Sequence, residues 1–330
     1  MKRAAGSSVY HVVVAGFRGL LLYGSLAFLT YVAVSNVRSL PEGVFSLRFA
    51  LVIIALGNIY AVLLMLIAVA WGGFLWTLGV NASWREVILV YGRANLAKYL
   101  PGNIFQFAGR HVMGSDLRWS NHALLCSTAF EILVIVLSAA LVNLLLLTIF
   151  PLEEIPGTGP ISVVSAVIVT TLVTGTLLFI TARKYLPFRN FAEQITTVLY
   201  SRAPAIAVLL YMVFFFTLGE MTVATFYGIN GRWVWRLSQQ FTIAYTAAWL
   251  IGYVTPGAPG GVGVREAALV VLLRPSLGEA AALSVAAGLR FLTMLGDLLL
   301  FAACHCRTWS PRTSRASFRE DPGSRKDCDR

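Results

Sequence analysis

The chain has 330 residues, of which 58% are apolar and only 12% are charged, and its mean hydropathy is +0.75. A soluble domain is close to half apolar and a quarter charged, so this composition excludes a soluble enzyme. The 26 Lys and Arg residues outnumber the 15 Asp and Glu residues, for a net charge of +11. In a polytopic membrane protein such an excess lies in loops and tails, so we expect no nucleic-acid partner.

Apolar runs of about 20 residues predict transmembrane helices. Six segments are long and apolar enough to be full spans, and the predicted fold class is therefore an all-α polytopic membrane protein. Tryptophans near the ends of these runs, Trp71 and Trp119 among them, fit an interfacial aromatic belt. The six predicted spans are residues 19–37, 49–71, 122–150, 161–181, 204–228 and 279–303.

Two further hydrophobic stretches, residues 83–119 and 238–274, are interrupted by glycine and proline. Proline removes a backbone donor and glycine readily leaves helical geometry, so neither stretch is expected to form one continuous helix. We call them the first and second broken stretches. Each is predicted to be a re-entrant hairpin that enters the membrane and returns to the same side.

Loop charge predicts the orientation. The loop after residues 161–181 is basic, whereas the loop before it carries Glu153 and Glu154 and no base. The positive-inside rule then places both termini in the cytoplasm of a multi-pass protein of the inner (cytoplasmic) membrane. Residues 306–330 hold seven basic and four acidic residues, and this polar composition predicts a basic, disordered cytoplasmic tail.

An internal repeat relates the two broken stretches. With three full spans in each half, the halves (about residues 10–155 and 156–305) have opposite orientations, as in the inverted repeats of secondary transporters. Both halves belong to one transmembrane domain, residues 1–305. Four pairs of identical residues share an offset of 155 positions: Pro101 and Pro256, Gly102 and Gly257, Arg110 and Arg265, and Ser83 and Ser238.

Two hairpins that enter from opposite sides bring their tips together near the membrane midplane. Glycine-rich turns and helix N-termini present N–H groups and partial positive charge, so such tips favour anions. Arg110 and Arg265 add formal charge. The predicted substrate-binding residues are Pro101, Gly102, Asn103, Gln106, Arg110, Pro256, Gly257, Gly260, Gly261, Arg265 and Glu266.

Other charged residues in the apolar segments are secondary candidates, because a charge facing lipid costs a few kcal/mol or more. The alternative to a ligand role is structural pairing of Arg290 with Asp297, two turns away, or of Arg265 with Glu266 or Glu131. The secondary candidates are Glu131, Glu220, Arg290 and Asp297.

Several other residues receive smaller roles. Glu220 is either a coupling-proton carrier or a hydrogen-bonded core carboxyl, and Asn58 and Asn95 are expected to join helices. Cys304-His305-Cys306 lacks a fourth ligand, so neither a metal nor any other cofactor is predicted.

The residues around both turns resemble a known family. Tyr99-Leu100-Pro101-Gly102-Asn103 and Pro256-Gly257-Ala258-Pro259-Gly260-Gly261-Val262-Gly263 are similar to the two signatures of the flippase-like lysylphosphatidylglycerol synthase transmembrane family. Glu131 and Arg290 occupy places where members often carry those residues, although Ile132 stands where arginine is frequent. The resemblance implies a stand-alone member without the aminoacyl-transferase domain.

Two functions fit these observations. The first is a transporter that moves an anionic or zwitterionic lipid, either a phospholipid or a polyprenyl-phosphate-linked sugar, between leaflets through a polar midplane site. The second is a membrane enzyme, or its accessory subunit, in lipid-linked sugar or lipid-modification pathways, for which only Glu266, Glu131 and His111 are candidate groups. No catalytic residue is predicted. The expected partners are the lipid and a glycosyltransferase or lipid-modifying enzyme, and the oligomeric state stays open.

Overall fold

The computed structural model of the chain describes residues 46–100, 104–149, 195–255 and 259–306. All regular secondary structure in these ranges is helical, and short 3-10 segments at Leu96–Tyr99, Trp235–Leu237 and Pro259–Gly261 connect some of the helices. The α-helices with both ends in these ranges are α1 (Leu47–Thr77), α2 (Trp84–Asn95), α3 (Phe105–Asp116), α4 (Asn121–Ile149), α5 (Ala203–Asn230), α6 (Ser238–Val254), α7 (Val264–Leu277) and α8 (Glu279–His305).

Helices α1, α4, α5 and α8 are each long and apolar enough to cross a membrane. Their outward faces carry large apolar side chains, such as Leu51 and Ile54 on α1 and Leu133 and Leu137 on α4. An apolar surface of this extent faces lipid in a membrane protein. The sequence-based prediction of a helical, membrane-embedded protein is therefore confirmed by these four helices. The spans predicted at 19–37 and 161–181, and the tail beyond residue 306, lie outside the described residues.

Local capping explains where several helices begin. Ser46 accepts a hydrogen bond from the backbone N–H of Phe49 through its hydroxyl, at 3.2 Å, and so caps α1. Ser83 and Glu86 form a reciprocal capping box at the start of α2. Such contacts satisfy the free N–H groups of the first turn.

Helix α1 is central, since it packs against α2, α4, α5 and α8. Gly57 on α1 and Gly296 on α8 permit the close approach of these two helices. A Cβ atom added at Gly296 would lie 2.7 Å from the carbonyl oxygen of Gly57 and 2.5 Å from Tyr60 Cδ1. Small residues at such crossings are typical of membrane helix packing.

Both broken stretches are divided in two, as α2 with α3 and as α6 with α7. Gly260 and Gly261 adopt the left-handed conformation, with φ angles of 55° and 72°, which side-chain-bearing residues rarely adopt. The interruptions touch each other, because a Cβ atom at Gly260 would lie 3.4 Å from the carbonyl oxygen of Lys98 and from the ring of Tyr99. The tips themselves, residues 101–103 and 256–258, lie outside the described residues.

Candidate functional site

A cavity of about 100 Å³, lined largely by buried side chains, lies where the two broken stretches meet α1, α4, α5 and α8. Its wall combines charged and aromatic side chains. Four of the lining residues are cations, namely Lys98, Arg110, Arg265 and Arg290. The principal aromatic lining residues are Tyr60, Tyr91, Tyr99, Tyr211, Trp249 and Tyr253.

The first charged cluster is formed by Arg110 and Glu131. Arg110 on α3 donates from Nη1 to Glu131 Oε2 on α4 at 2.5 Å, and both side chains are buried. The Tyr211 hydroxyl on α5 donates to the other carboxylate oxygen at 3.0 Å. Helices α3, α4 and α5 are thus joined through one carboxylate. Arg110 Nε is buried and has no hydrogen-bond partner among the described residues.

Aromatic rings surround the Arg110 guanidinium. Its Cζ lies 3.7 Å from the ring centre of Tyr91, 5.2 Å from that of Trp71 and 5.5 Å from that of Phe107. The assignment of Trp71 and Trp119 to an interfacial belt is wrong, since both are buried and pack on each other. Helix α1 continues to Thr77, so Trp71 lies inside the bundle, where its indole N–H reaches Ser127.

The second cluster surrounds Asp297 on α8, which is fully buried. Asn95 Nδ2 and Lys98 Nζ each donate to Oδ1 at 2.7 Å, and the Tyr99 hydroxyl donates to Oδ2. All three donors come from the end of α2 and the 3-10 segment that follows it. Asp297 therefore anchors the interruption of the first broken stretch to α8. The prediction that Asn95 joins helices is confirmed, whereas among the described residues Asn58 donates only to Ile54 of its own helix.

The third cluster joins Arg290 to the second broken stretch. Arg290 Nη1 lies 3.3 Å from Glu266 Oε1 and 3.4 Å from the carbonyl oxygen of Gly260. Structural pairing of Arg290 with Asp297, the alternative to a ligand role in the sequence analysis, is not what the described residues form, since Arg290 pairs with Glu266 and Asp297 pairs with Lys98. Residues seven positions apart on one helix are separated by about 10 Å along its axis. Arg290 and Asp297 therefore contact different elements packed on that face of α8. Arg290 Nε and Nη2 are buried without partners among the described residues.

Arg265 has a different environment from the other three cations. Its guanidinium donates to the hydroxyl of Tyr245 on α6 and lies 4.7 Å from the centre of that ring. Within the described ranges, no carboxylate forms an ion pair with it. The bare backbone of Gly252 makes room for it, since a Cβ atom there would lie 2.8 Å from Arg265 Cβ.

The charges around the cavity do not cancel among the described residues. Four lining cations face three carboxylates, and each carboxylate pairs with one cation. Lys98, Arg110 and Arg290 are neutralised, and Arg265 is left over. The cavity therefore carries one excess positive charge in an apolar protein interior, where such a charge attracts an anion strongly.

Most predicted site residues that the structure describes converge on this cavity. Gln106, Arg110, Glu131, Gly260, Gly261, Arg265 and Arg290 line it, and Glu266 and Asp297 bind lining cations. Glu220 does not belong to the site, because it is exposed on α5 and accepts a hydrogen bond from Ser238. Predicted site residues outside the described ranges are Pro101, Gly102, Asn103, Pro256 and Gly257.

Sequence reasoning missed Lys98 and the tyrosines. A usable signal existed for Lys98, because it follows Asn95 by three residues in an otherwise apolar segment, and this spacing places both on one helical face. The tyrosines carried no comparable signal, since aromatic residues are frequent throughout the chain.

The fold and the cavity define a helical membrane protein with a buried cationic site. Within the described residues, no three His, Cys, Asp or Glu side chains come together as a metal site would require. No protein-family model, curated protein or solved structure matches the chain.

Proposed function

We propose that this protein is a lipid transporter that moves an anionic or zwitterionic lipid between the leaflets of the inner membrane. The lipid headgroup passes through the cationic cavity while the acyl or prenyl tails stay in the hydrocarbon. The observation that carries this proposal is the buried cavity with four cations, one of them, Arg265, unpaired with any described carboxylate.

Free donors support an anionic ligand. Arg110 Nε and Arg290 Nε and Nη2 are buried donors without described partners. A buried polar group without a hydrogen bond costs about 1–3 kcal/mol. A phosphate in the cavity neutralises Arg265, and it reaches these buried donors when the side chains of Arg110 and Arg290 turn towards it.

The apolar surroundings suit a lipid cargo. The cavity lies inside a bundle whose outer surface exposes residues such as Leu51, Ile54, Leu133 and Leu137. A headgroup in the cavity is close to hydrocarbon on the outside of the same helices.

The proposed architecture has six transmembrane helices and two re-entrant hairpins in inverted halves, with both termini in the cytoplasm. The chain's resemblance to the flippase-like family supports it. A repeated contact supports it as well, since Arg110 stacks on Tyr91 and Arg265 stacks on Tyr245. In each broken stretch the arginine comes from the second helix and the tyrosine from the first. Rocking of the two halves around this site provides alternating access.

The proposed cargo is a phospholipid or a polyprenyl-phosphate-linked sugar. A glycosyltransferase or a lipid-modifying enzyme is the proposed partner, because such an enzyme makes or consumes the lipid on one side of the membrane. Both cargoes present a phosphate attached to an apolar tail, which is the chemistry that the cavity and the outer surface together require.

The test is leaflet exchange in proteoliposomes that contain the purified full chain. Fluorescent phosphatidylglycerol and a fluorescent polyprenyl-phosphate hexose are followed by quenching of the outer leaflet. The wild type is expected to exchange at least one of the two lipids. Arg265→Gln is expected to slow this exchange about tenfold, which corresponds to roughly 1.4 kcal/mol of lost binding free energy. Arg274→Gln is the matched control, because Arg274 is exposed on the same helix, α7.

Two results would count against transport. Exchange of neither lipid above that of protein-free vesicles would contradict the proposal. Turnover of a lipid-linked sugar by the protein in detergent, with no two-sided membrane present, would favour the membrane enzyme instead.

A further inference from the structure

The charge of the cavity restricts which headgroup it accepts. Lys98, Arg110, Arg265 and Arg290 face Glu131, Glu266 and Asp297, so the described residues leave one positive charge. Arg265 is half-buried, and a charge held there without a counter-charge is unfavourable. An occupant with one negative charge neutralises the cavity, whereas a neutral or doubly charged occupant leaves it charged.

Each carboxylate near the cavity is already neutralised by a cation of the protein. Glu131 already accepts from Arg110 and Tyr211, and Asp297 accepts from three donors. The remaining carboxylate, Glu266, accepts from Arg290 through Oε1 and from the backbone N–H of Gly263 through Oε2, at 2.6 Å. The ammonium of a zwitterionic headgroup would therefore share a carboxylate with a cation of the protein.

Two aromatic faces that would otherwise suit a quaternary ammonium are also occupied. Arg110 Cζ lies 3.7 Å from the ring centre of Tyr91, and Arg290 Cζ lies 5.1 Å from that of Tyr99. Cation–π binding of choline requires such faces to be open. The protein's own cations therefore compete with a cationic headgroup.

Neutral polar groups complete the wall. Gln106 and Thr293 line the cavity together with several tyrosines. The hydroxyls of Thr293 and Tyr211 already donate within the protein, and their oxygens can still accept hydrogen bonds. They suit hydroxyl groups of a ligand. The volume of about 100 Å³ is below the roughly 300–1,000 Å³ of typical ligand pockets, so the charged group itself must be compact.

These features assign a narrower substrate class, and this assignment rests on the proposed function. We infer that the cavity selects lipids whose headgroup carries a single negative charge on a phosphodiester and is otherwise uncharged and hydroxylated, such as a glycerol or a sugar. The phosphodiester lies between Arg265, Arg290 and Arg110, and the hydroxyl groups contact the neutral polar wall.

The experiment compares lipids that differ in headgroup charge. Proteoliposomes of phosphatidylcholine carry a trace of a lipid labelled on its acyl chain: phosphatidylglycerol with one negative charge, phosphatidylcholine with none, or phosphatidic acid, a phosphomonoester that loses a second proton. The wild type is expected to exchange phosphatidylglycerol about tenfold faster than either of the others. A labelled polyprenyl-phosphate hexose, also a phosphodiester, shows which tail the protein prefers.

Charge variants of nearly unchanged shape sharpen the comparison. Arg265→Gln makes the cavity neutral and is expected to abolish the preference for phosphatidylglycerol over phosphatidylcholine. Glu266→Gln adds one positive charge and is expected to move the preference towards phosphatidic acid. The double variant Arg265→Gln/Glu266→Gln restores a single positive charge, on Arg290, and is expected to recover the original preference. Arg274→Gln, which leaves the cavity unchanged, should behave as the wild type.

The outcomes separate the two proposals. Equal exchange of phosphatidylglycerol and phosphatidylcholine by the wild type would overturn the inference and leave transport standing. If the wild type exchanges none of the four lipids, both the inference and the proposed transport function are overturned. Folding of each variant is checked by gel filtration in detergent. If Arg265→Gln does not fold, the comparison of lipids in the wild type still tests the inference. A folded double variant that has lost the preference for phosphatidylglycerol would contradict the charge argument.

Discussion

Arg265 lies over the ring of Tyr245, 4.7 Å from its centre, and also donates a hydrogen bond to the hydroxyl of the same residue. Its counterpart 155 positions earlier, Arg110, likewise lies over a tyrosine, but it is neutralised by Glu131 at 2.5 Å. The two arginines therefore share an aromatic neighbour and differ in charge balance. This difference leaves one positive charge facing the cavity, which is the basis of the proposed anion selectivity.

The ion pair between Lys98 and Asp297 is expected to stabilise the fold. Asp297→Asn removes the charge that neutralises Lys98 inside the bundle, and loss of one partner of a buried pair costs about 3–5 kcal/mol. The apparent melting temperature in detergent should fall clearly. Glu279→Gln, an exposed change on the same helix, should have little effect.

A double-variant cycle tests the coupling of this pair. Lys98→Met/Asp297→Asn should be less destabilised than the sum of the two single variants, by about 1–2 kcal/mol, because neither charge is left alone. Strict additivity of the three melting shifts would show that the 2.7 Å contact contributes nothing to stability.

The hydroxyl of Tyr211 is expected to stabilise the fold in addition to its buried ring. Tyr211→Phe keeps the buried ring but removes the donor to Glu131 at 3.0 Å, and a hydrogen bond to a charged group contributes about 1.5–3 kcal/mol. Thermal unfolding in detergent should show this loss. Tyr200→Phe makes the same change at a side chain that is 93% exposed and should leave stability unchanged; equal shifts for both variants would contradict the prediction.

Packing between α1 and α8 predicts opposite effects for two glycine substitutions. Gly296→Ala forces a Cβ atom to within 2.7 Å of the Gly57 carbonyl oxygen, and such overpacking costs about 1–3 kcal/mol. Gly73→Ala on α1 meets its nearest atom at 3.7 Å and should gain about 0.5–1 kcal/mol from helix propensity. Melting shifts of the same sign would contradict this account of the interface.

A substitution at the interruption of the second broken stretch is expected to reduce transport. Gly261→Ala places a Cβ atom 3.3 Å from the Gly252 carbonyl oxygen, at the cavity wall, and also strains a φ angle of 72°. Gly79→Ala strains a φ angle of 81° with no atom within 4 Å. Both variants lose about 1–2 kcal/mol from the strained backbone, but only Gly261→Ala should slow leaflet exchange. A similar loss of exchange in Gly79→Ala would show that strain alone is responsible.

Much of the helical framework was predictable because hydrophobic length is a strong signal in membrane proteins. The runs predicted at residues 49–71 and 204–228 fall within α1 (Leu47–Thr77) and α5 (Ala203–Asn230). The helix end at Thr77 was not predictable from hydropathy. Beyond Trp71 the chain contains glycines, which weaken the apolar signal although the helix continues.

The charge pairs were harder to predict than the charged residues themselves. The sequence placed Arg110, Arg265 and Arg290 among the candidates, because a charge in an apolar segment must face protein or water. It did not show that Arg290 meets Glu266 on a different helix. Both faces of these helices are apolar, so periodicity does not reveal which face points inward, and partner choice depends on tertiary packing.

The most direct test of the central claim is to locate the lipid headgroup by photocrosslinking. The wild-type protein in liposomes is irradiated with phosphatidylglycerol that carries the photoreactive group either on its headgroup or on its acyl chain, and the adducts are mapped by mass spectrometry. Headgroup adducts are expected on cavity residues such as Phe107, Trp249 and Tyr253, and acyl-chain adducts are expected on exposed apolar residues such as Leu133. Headgroup adducts found only at the helix ends, with none on cavity residues, would contradict it.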